Sequence, residues 1–138
     1  MMAAIRAAAL GQEVILLEKK STLGNKLLLS GKGRCNLTNT EDLPNFLKRF
    51  SKNGDFLRDA FKKFFNQELI SFFEQRGLKL KTERQLRVFP QSDRSSSILN
   101  VLENELVKAE VQVICRSKVV DLIVFRRQDL KILHRNQK

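Results

Sequence analysis

The chain opens on MMAAIRAAAL, small apolar side chains broken only by Arg6, and Gly11 follows. Alanine-rich runs favour helix, and a glycine at that point ends one by turning left-handed. Next comes EVILLEKK, whose apolar residues Val14 to Leu17 are closed by Glu18. So short an apolar run predicts a strand buried in a parallel sheet.

Further along, LPNFLKRF puts Pro44 where a first helical turn accepts it, and GDFLRDAFKKFF sets Phe56, Ala60 and Phe64, with Leu57 and Phe61, at helical spacing. These phenylalanines are expected in the core. NQELISFFEQRG reads as a helix capped by Asn66, carrying Leu69, Phe72 and Phe73 and stopped by Gly77. LKLKTE alternates with period two and QLRVFP stays extended to Pro90, so residues 78–90 predict two short strands or a hairpin, their alternating lysines toward water. QSDRSSSILNVLENELVKAE starts with capping residues and puts Ile98, Val101, Leu102, Leu106 and Val107 on one helical stripe. The last stretch, VQVICRSKVVDLIVFRRQDLKILHR, predicts three strands with turns near Arg116 to Lys118 and at Gln128 to Asp129.

Composition narrows the class. The 138 residues, 42% hydrophobic and 30% charged, suit one domain or one piece of a larger one. Lysine and arginine outnumber aspartate and glutamate by 26 to 15, a net charge of +11. That excess attracts nucleic acid, acidic membrane surface or a phosphorylated cofactor, without choosing among them. Cys35 and Cys115 make no disulfide framework and, with His134, no zinc-ligand spacing, so a reducing, cytoplasmic setting is expected. No apolar run approaches the roughly 20 residues of a membrane helix. The alanine-rich start resembles a targeting segment, but Arg6 interrupts it and a strand follows at once, which favours a buried helix.

Helix, glycine, strand and acid follow the order of the second half of a β-α-β nucleotide-binding unit. There, a glycine-rich turn precedes the helix, and an acid closing the second strand accepts a hydrogen bond from a ribose hydroxyl. Glu18 stands where that acid belongs. The chain holds no such glycine-rich turn, so the expectation is a start just after it, through truncation, a split gene or a late start codon.

The stretch KLLLSGKGRCNLTN, residues 26 to 39, concentrates polar groups. Gly24, Gly31 and Gly33 let backbone approach a ligand, while Lys26, Lys32 and Arg34 offer donors and charge to phosphates or an anionic reduced flavin. Ser30, Asn36, Thr38 and Asn39 add orienting hydrogen bonds. A phosphate-binding Walker loop is excluded, because Lys32 is followed by Gly33 in place of Ser or Thr. The plainer alternative is a solvated turn with incidental charge around a small buried Cys35. A reactive thiol at Cys35, beside Arg34, is conceivable, although no histidine lies nearby in sequence to act as its base.

Two stretches, LLEKKSTLGNKLLLSGKGRCNLTN and FFEQRGLKLKTERQLRVFPQSDRSSSIL, resemble in order and spacing the N-terminal third of the BaiN-like, or aminoacetone oxidase-like, NAD(P)/FAD-dependent oxidoreductases. The similarity runs over essentially all of residues 1–138. It implies an α/β fold: a partial Rossmann-like FAD-binding domain of the two-dinucleotide-binding-domain flavoprotein type, lacking its first strand and glycine-rich turn. Residues 117–138 would be a β segment leading toward the remainder. The resemblance implies FAD as cofactor, NAD(P)H as a candidate electron donor, and hydride or electron transfer to or from a small-molecule substrate.

Carried over residue by residue, Glu18 would bind the adenosine ribose, and Val119, in the turn after a strand, would contact adenine through its backbone. Lys26 with Ser30, Gly31, Gly33, Arg34, Cys35 and Asn36 would line pyrophosphate and flavin, and Arg87, Pro90 and Ser92 would shape the loop before the next helix. Leu86 stands where the pattern expects glycine, and Asn25 replaces a basic residue. Without the phosphate-binding turn, the chain alone is expected to bind FAD poorly.

Two other readings remain. A small basic nucleic-acid-binding module would use the +11 charge, but its cations are scattered, Tyr and Trp are absent for base stacking, and the phenylalanines suit core positions. An inactive product of a truncated gene would expose apolar strand edges and aggregate or pair with a partner fragment.

Overall fold

The alanine-rich start folds as helix α1 (Met2–Ala9), with Ala4 and Ile5 buried, and Gly11 follows at φ +80° with its N–H bonded to Ala8 O. Strand β1 (Ile15–Leu17) comes next, then the short helix α2 (Asn25–Leu29), a 3-10 turn over Ser30–Gly33, and β2 (Thr38–Asn39). Helices α3 (Leu43–Lys48), α4 (Arg58–Lys63) and α5 (Asn66–Glu74) precede strands β3 (Leu80–Glu83) and β4 (Arg87–Pro90). The long helix α6 (Ser95–Lys108) and strands β5 (Gln112–Ile114), β6 (Ser117–Arg126) and β7 (Asp129–Asn136) complete the order. The computed structural model describes residues 1–126 and 129–136, without the side chains of residues 51, 52, 124–126, 129–131 and 136. No helix among the described residues is long and apolar enough to cross a membrane.

The chain divides into two compact units, Met1–Lys26 with Leu102–Lys138, and Leu27–Val101. In the first, β1 and β5 pair in parallel, Ile15 opposite Gln112 and Leu17 opposite Ile114, as the apolar run predicts. β1 is less buried than expected: Ile15 is 61% exposed, because β5 is its one sheet neighbour among the described residues. Ala4, Ile5, Leu102, Leu106 and Val111 are among its buried apolar side chains. β6 and β7 make an antiparallel hairpin, and Arg116, at φ +54°, turns the chain between β5 and β6 where a turn is expected. The other expected turn, at Gln128–Asp129, lies partly outside the described residues. Val119 lies inside β6 opposite His134, not in a turn, because β6 starts directly after Arg116.

In the second unit β2, β4 and β3 form an antiparallel sheet with β4 central, Thr38 opposite Val88 and Glu83 opposite Arg87. The expected hairpin over residues 78–90 is there. Phe73, Val88, Phe89, Ile98, Leu99, Leu47 and Cys35 are buried around it. Lys81 departs from the water-facing expectation, since it reaches Asp93 Oδ2 at 2.6 Å and Glu83 Oε1 at 3.4 Å.

Phe46, Phe50, Phe61 and Phe65 meet in one aromatic cluster, Phe46 and Phe65 at 5.0 Å between centroids. Phe56 does not join it and is 90% exposed. It lies in a 3-10 segment (Ser51–Leu57) whose three-residue turn breaks the helical spacing, and Phe64 lies past the end of α4. Asn66 is not the cap of α5. Phe65 occupies that position, its N–H donating to Glu68 Oε2, while the buried Asn66 amide donates at 2.8 Å to both Asn39 O and Glu41 O. On α6, Ile98, Leu102 and Leu106 are buried as predicted, but Val107, a further 100° round the helix, is exposed.

Candidate functional site

The polar stretch after β1 is more ordered than a glycine-rich loop. α2 forms first, and the Ser30 hydroxyl donates to Leu27 O at 2.7 Å while the Ser95 hydroxyl donates to Leu28 O at 3.0 Å. The backbone then turns left-handed at Gly31, Lys32, Gly33 and Cys35. Arg34 N–H donates to Gly31 O and Cys35 N–H to Ser30 O, closing the turn on itself.

The two glycines serve different ends. A Cβ on Gly31 would lie 2.7 Å from the backbone nitrogen of Asn36, so the turn closes only with glycine there. A Cβ on Gly33, at φ +83°, would meet nothing within 4 Å. The backbone at Gly33 therefore faces open space that a ligand can approach closely. Lys32 and Asn36 are exposed beside it, Ser30 is half-buried, and Cys35 is buried within the turn.

Arg34 does not point its fork at open space. Its Nε donates to Asp93 Oδ1 at 2.8 Å, its Nη2 donates to Glu83 Oε1, and its Cζ lies 4.1 Å from the centroid of Phe89. With Lys81 this makes a cluster of two cations and two carboxylates. The hydrogen bond from Arg34 holds the Glu83 carboxyl below its ordinary value, and the one from Lys81 does the same for Asp93, burial opposing both. The cations are raised correspondingly, Arg34 chiefly by Glu83 and Lys81 chiefly by Asp93. Arg34 thereby ties the turn to the β3–β4 hairpin.

At the end of β1, Glu18 N–H donates to Ile114 O and Glu18 O accepts from Ser117 N–H. Its Oε1 accepts from Lys20 N–H at 2.8 Å, and Oε2 has no partner among the described residues. This acid therefore sits at the carboxyl end of two parallel strands, where ligands gather in such sheets. Of the expected site residues, Ser30, Gly31, Gly33, Arg34, Cys35 and Asn36 stand together in the second unit. Glu18, Lys26 and Val119 belong to the first, Lys26 exposed on α2 and Val119 partly exposed on β6.

A cavity of about 400 Å³ in the second unit is lined by Asn36, Asn39, Arg49, Gln85 and Arg87. Gln85 and Leu86 are both left-handed, at φ +61° and +59°, and Asn39 Nδ2 donates to Gln85 O at 2.7 Å. The left-handed backbone explains why a glycine is expected at Leu86. That glycine was the one sequence signal of this turn; nothing in the pattern pointed to Arg49 or Gln85.

A profile of the HI0933-like protein Rossmann domain matches residues 1–138. The chain is similar to the 3-dehydro-bile acid delta(4,6)-reductase of Clostridium scindens, 36% identical over 101 residues that make up 73% of this chain and 24% of that protein. It is also similar to the ribosomal RNA dihydrouridine synthases of Haemophilus influenzae and Escherichia coli, in each case 29% identical over 116 residues, 84% of this chain and 28% of the relative. The chain thus spans about a quarter of the length of the curated relatives it matches. With helix, parallel strand and terminal acid in Rossmann order and the profile covering every residue, this mixed α/β chain belongs to the HI0933-like Rossmann-domain family.

Proposed function

We propose that these residues form part of the flavin-binding domain of an FAD-dependent oxidoreductase. The observation that carries this reading is the Ser30–Asn36 turn, in which Gly31 packs against Asn36 while the backbone at Gly33 stays open beside exposed Lys32 and Asn36. The residues fit the cofactor. Within the first unit, Glu18 Oε2 is available to a ribose hydroxyl; within the second, exposed Lys32 offers charge to a phosphate, and Ser30, Gly33 and Asn36 line the ring. Arg34 and Cys35 hold the turn from within. Flavin, when bound, supplies hydride and electron transfer, and the work left to this chain is binding and orientation.

The relatives' names support a substrate class. Saturating a ring double bond conjugated with a carbonyl is common to a 3-dehydro-bile acid delta(4,6)-reductase and to a synthase that makes dihydrouridine. Such a reduction adds a hydride to one carbon and a proton to the other, with NAD(P)H as the candidate source of electrons. A second reading places that double bond in RNA, supported by the ribosomal RNA synthases among the relatives and the net charge of +11. Binding to RNA that weakens steeply with salt would favour it.

A visible absorbance spectrum tests the flavin reading on the purified chain and on a form extended upstream to supply a glycine-rich turn. Flavin bands are expected in the extended form and weak or absent ones in the chain alone. An extended protein without flavin would overturn the proposal.

A further inference from the structure

The cavity bounded by Asn36, Asn39, Arg49, Gln85 and Arg87 has, among the described residues, neither a carboxylate nor an apolar side chain in its lining, and its volume of about 400 Å³ is that of a small-molecule site. Its two cations differ. Arg49 is neutralised by Glu41, whose Oε2 accepts from both Nε and Nη2. Arg87 donates its Nε–H to Arg84 O at 3.3 Å and holds its Cζ 5.8 Å from the centroid of Phe89, while its terminal nitrogens have no hydrogen-bond or ion-pair partner among the described residues. Its cross-strand neighbour Glu83 is taken by Arg34 and Lys81. The Asn39 amide is bound to Gln85 O, whereas the side-chain amides of Asn36 and Gln85 have no partners among the described residues.

Among the described residues, what remains is one positive charge without an acidic partner, on a guanidinium whose backbone is fixed in the central strand of the sheet, flanked by two unused amides. We infer that this cavity binds a small molecule carrying a singly charged oxyanion, a carboxylate or a phosphodiester. Two of its oxygens pair with the Arg87 fork, and neighbouring polar groups meet Asn36 and Gln85. Arg49 with Glu41 adds no net charge, so one negative charge completes the balance. The cavity shares Asn36 with the proposed flavin cradle but does not depend on it, and its test needs no cofactor.

The test is an NMR titration of the isotope-labelled chain with sodium acetate and, separately, with dimethyl phosphate, sodium chloride serving as the ionic-strength control. Saturable shifts are expected at the Asn36 and Gln85 side-chain amides and at Arg87 Nε–H, for one anion or both, and the anion that saturates identifies the source. Arg87→Gln should weaken binding by at least about tenfold, Arg87→Lys should weaken it by less, and Arg84→Gln should leave it unchanged. Should Arg87→Gln not fold, Arg87→Lys and Asn36→Ala carry the comparison. Shifts that fail to saturate, that chloride reproduces, or that survive the substitutions at Arg87 and Asn36 would overturn the inference.

Discussion

Nε of Arg34 lies 2.8 Å from Oδ1 of Asp93, joining two residues 59 positions apart in the sequence. The same guanidinium reaches Glu83 and covers Phe89, so the turn that carries the candidate site is anchored by its own basic residue.

This anchoring predicts that Arg34→Lys, which keeps the charge but not the fork, lowers the melting temperature, and that Arg34→Ala lowers it further. In a double-mutant cycle with Asp93→Asn the two losses should fall short of additive, because each removes the same bridge. Simple additivity of the two thermal shifts would count against it.

The cluster also sets a pH dependence. Glu83 and Asp93 are held below their ordinary values of 4.5 and 3.8. Carboxylates depressed in the folded state contribute stability that is full above their unfolded values and lost as pH falls through the folded ones. Arg34 and Lys81 are raised, so their contribution is full below the ordinary lysine value of 10.5 and lost only as pH rises through the folded values. Acid unfolding followed by circular dichroism from about pH 6 down to about pH 2 should show a steeper loss for the parent than for Arg34→Gln with Lys81→Gln. Equal slopes would remove the cluster as the cause.

Alanine at the two glycines of the turn should separate stability from binding. Gly31→Ala forces a Cβ to within 2.7 Å of Asn36 N at a left-handed position and should cost a few kcal/mol, on the order of 2–4. Gly33→Ala meets open space and should cost only about 1 kcal/mol from its backbone. Under the flavin reading Gly33→Ala nonetheless weakens flavin uptake, since its methyl occupies the ligand's approach. Urea denaturation and flavin content, measured on the same preparations of the upstream-extended form, decide both points.

Leu86 holds a left-handed backbone with nearly half its surface exposed, so little packing is lost by removing its side chain. Leu86→Gly should stabilise the chain by about 0.5–1 kcal/mol, seen as a higher urea midpoint at unchanged slope. A lower midpoint would mean that the side chain contributes more than the backbone strain costs.

Asn66→Ala removes the amide that serves both Asn39 O and Glu41 O. Two carbonyls then lose their donor, and a loss of about 1–3 kcal/mol is expected. The loss should come with faster amide exchange at β2, detectable by hydrogen–deuterium exchange.

The elements legible in the sequence are those decided by near neighbours. Alanine content and Gly11 marked α1, the apolar run marked β1 and its parallel pairing, period-two spacing marked the β3–β4 hairpin, and Glu18 stood at the strand's end as read. Gly31 was read as opening the backbone to a ligand, whereas its Cβ position is filled by Asn36 N, and a glycine at Leu86, whose backbone is left-handed, was expected only from the family resemblance.

Other features depended on which surfaces meet, and no spacing rule encodes that. Helical periodicity put Phe56 in the core, yet a 3-10 segment turned it to solvent; Asn66 has the chemistry of a cap, yet its amide was drawn inward by two carbonyls from a distant segment. Arg34 was chosen by its residue type as a ligand for phosphate, but Glu83 and Asp93 reach it first. Sequence alone marked the turn as a place where glycines let the backbone bend, because steric limits act within a few residues. Tertiary structure decided where its charges point, because an ion pair forms wherever folding brings opposite charges within hydrogen-bond reach, whatever their separation along the chain.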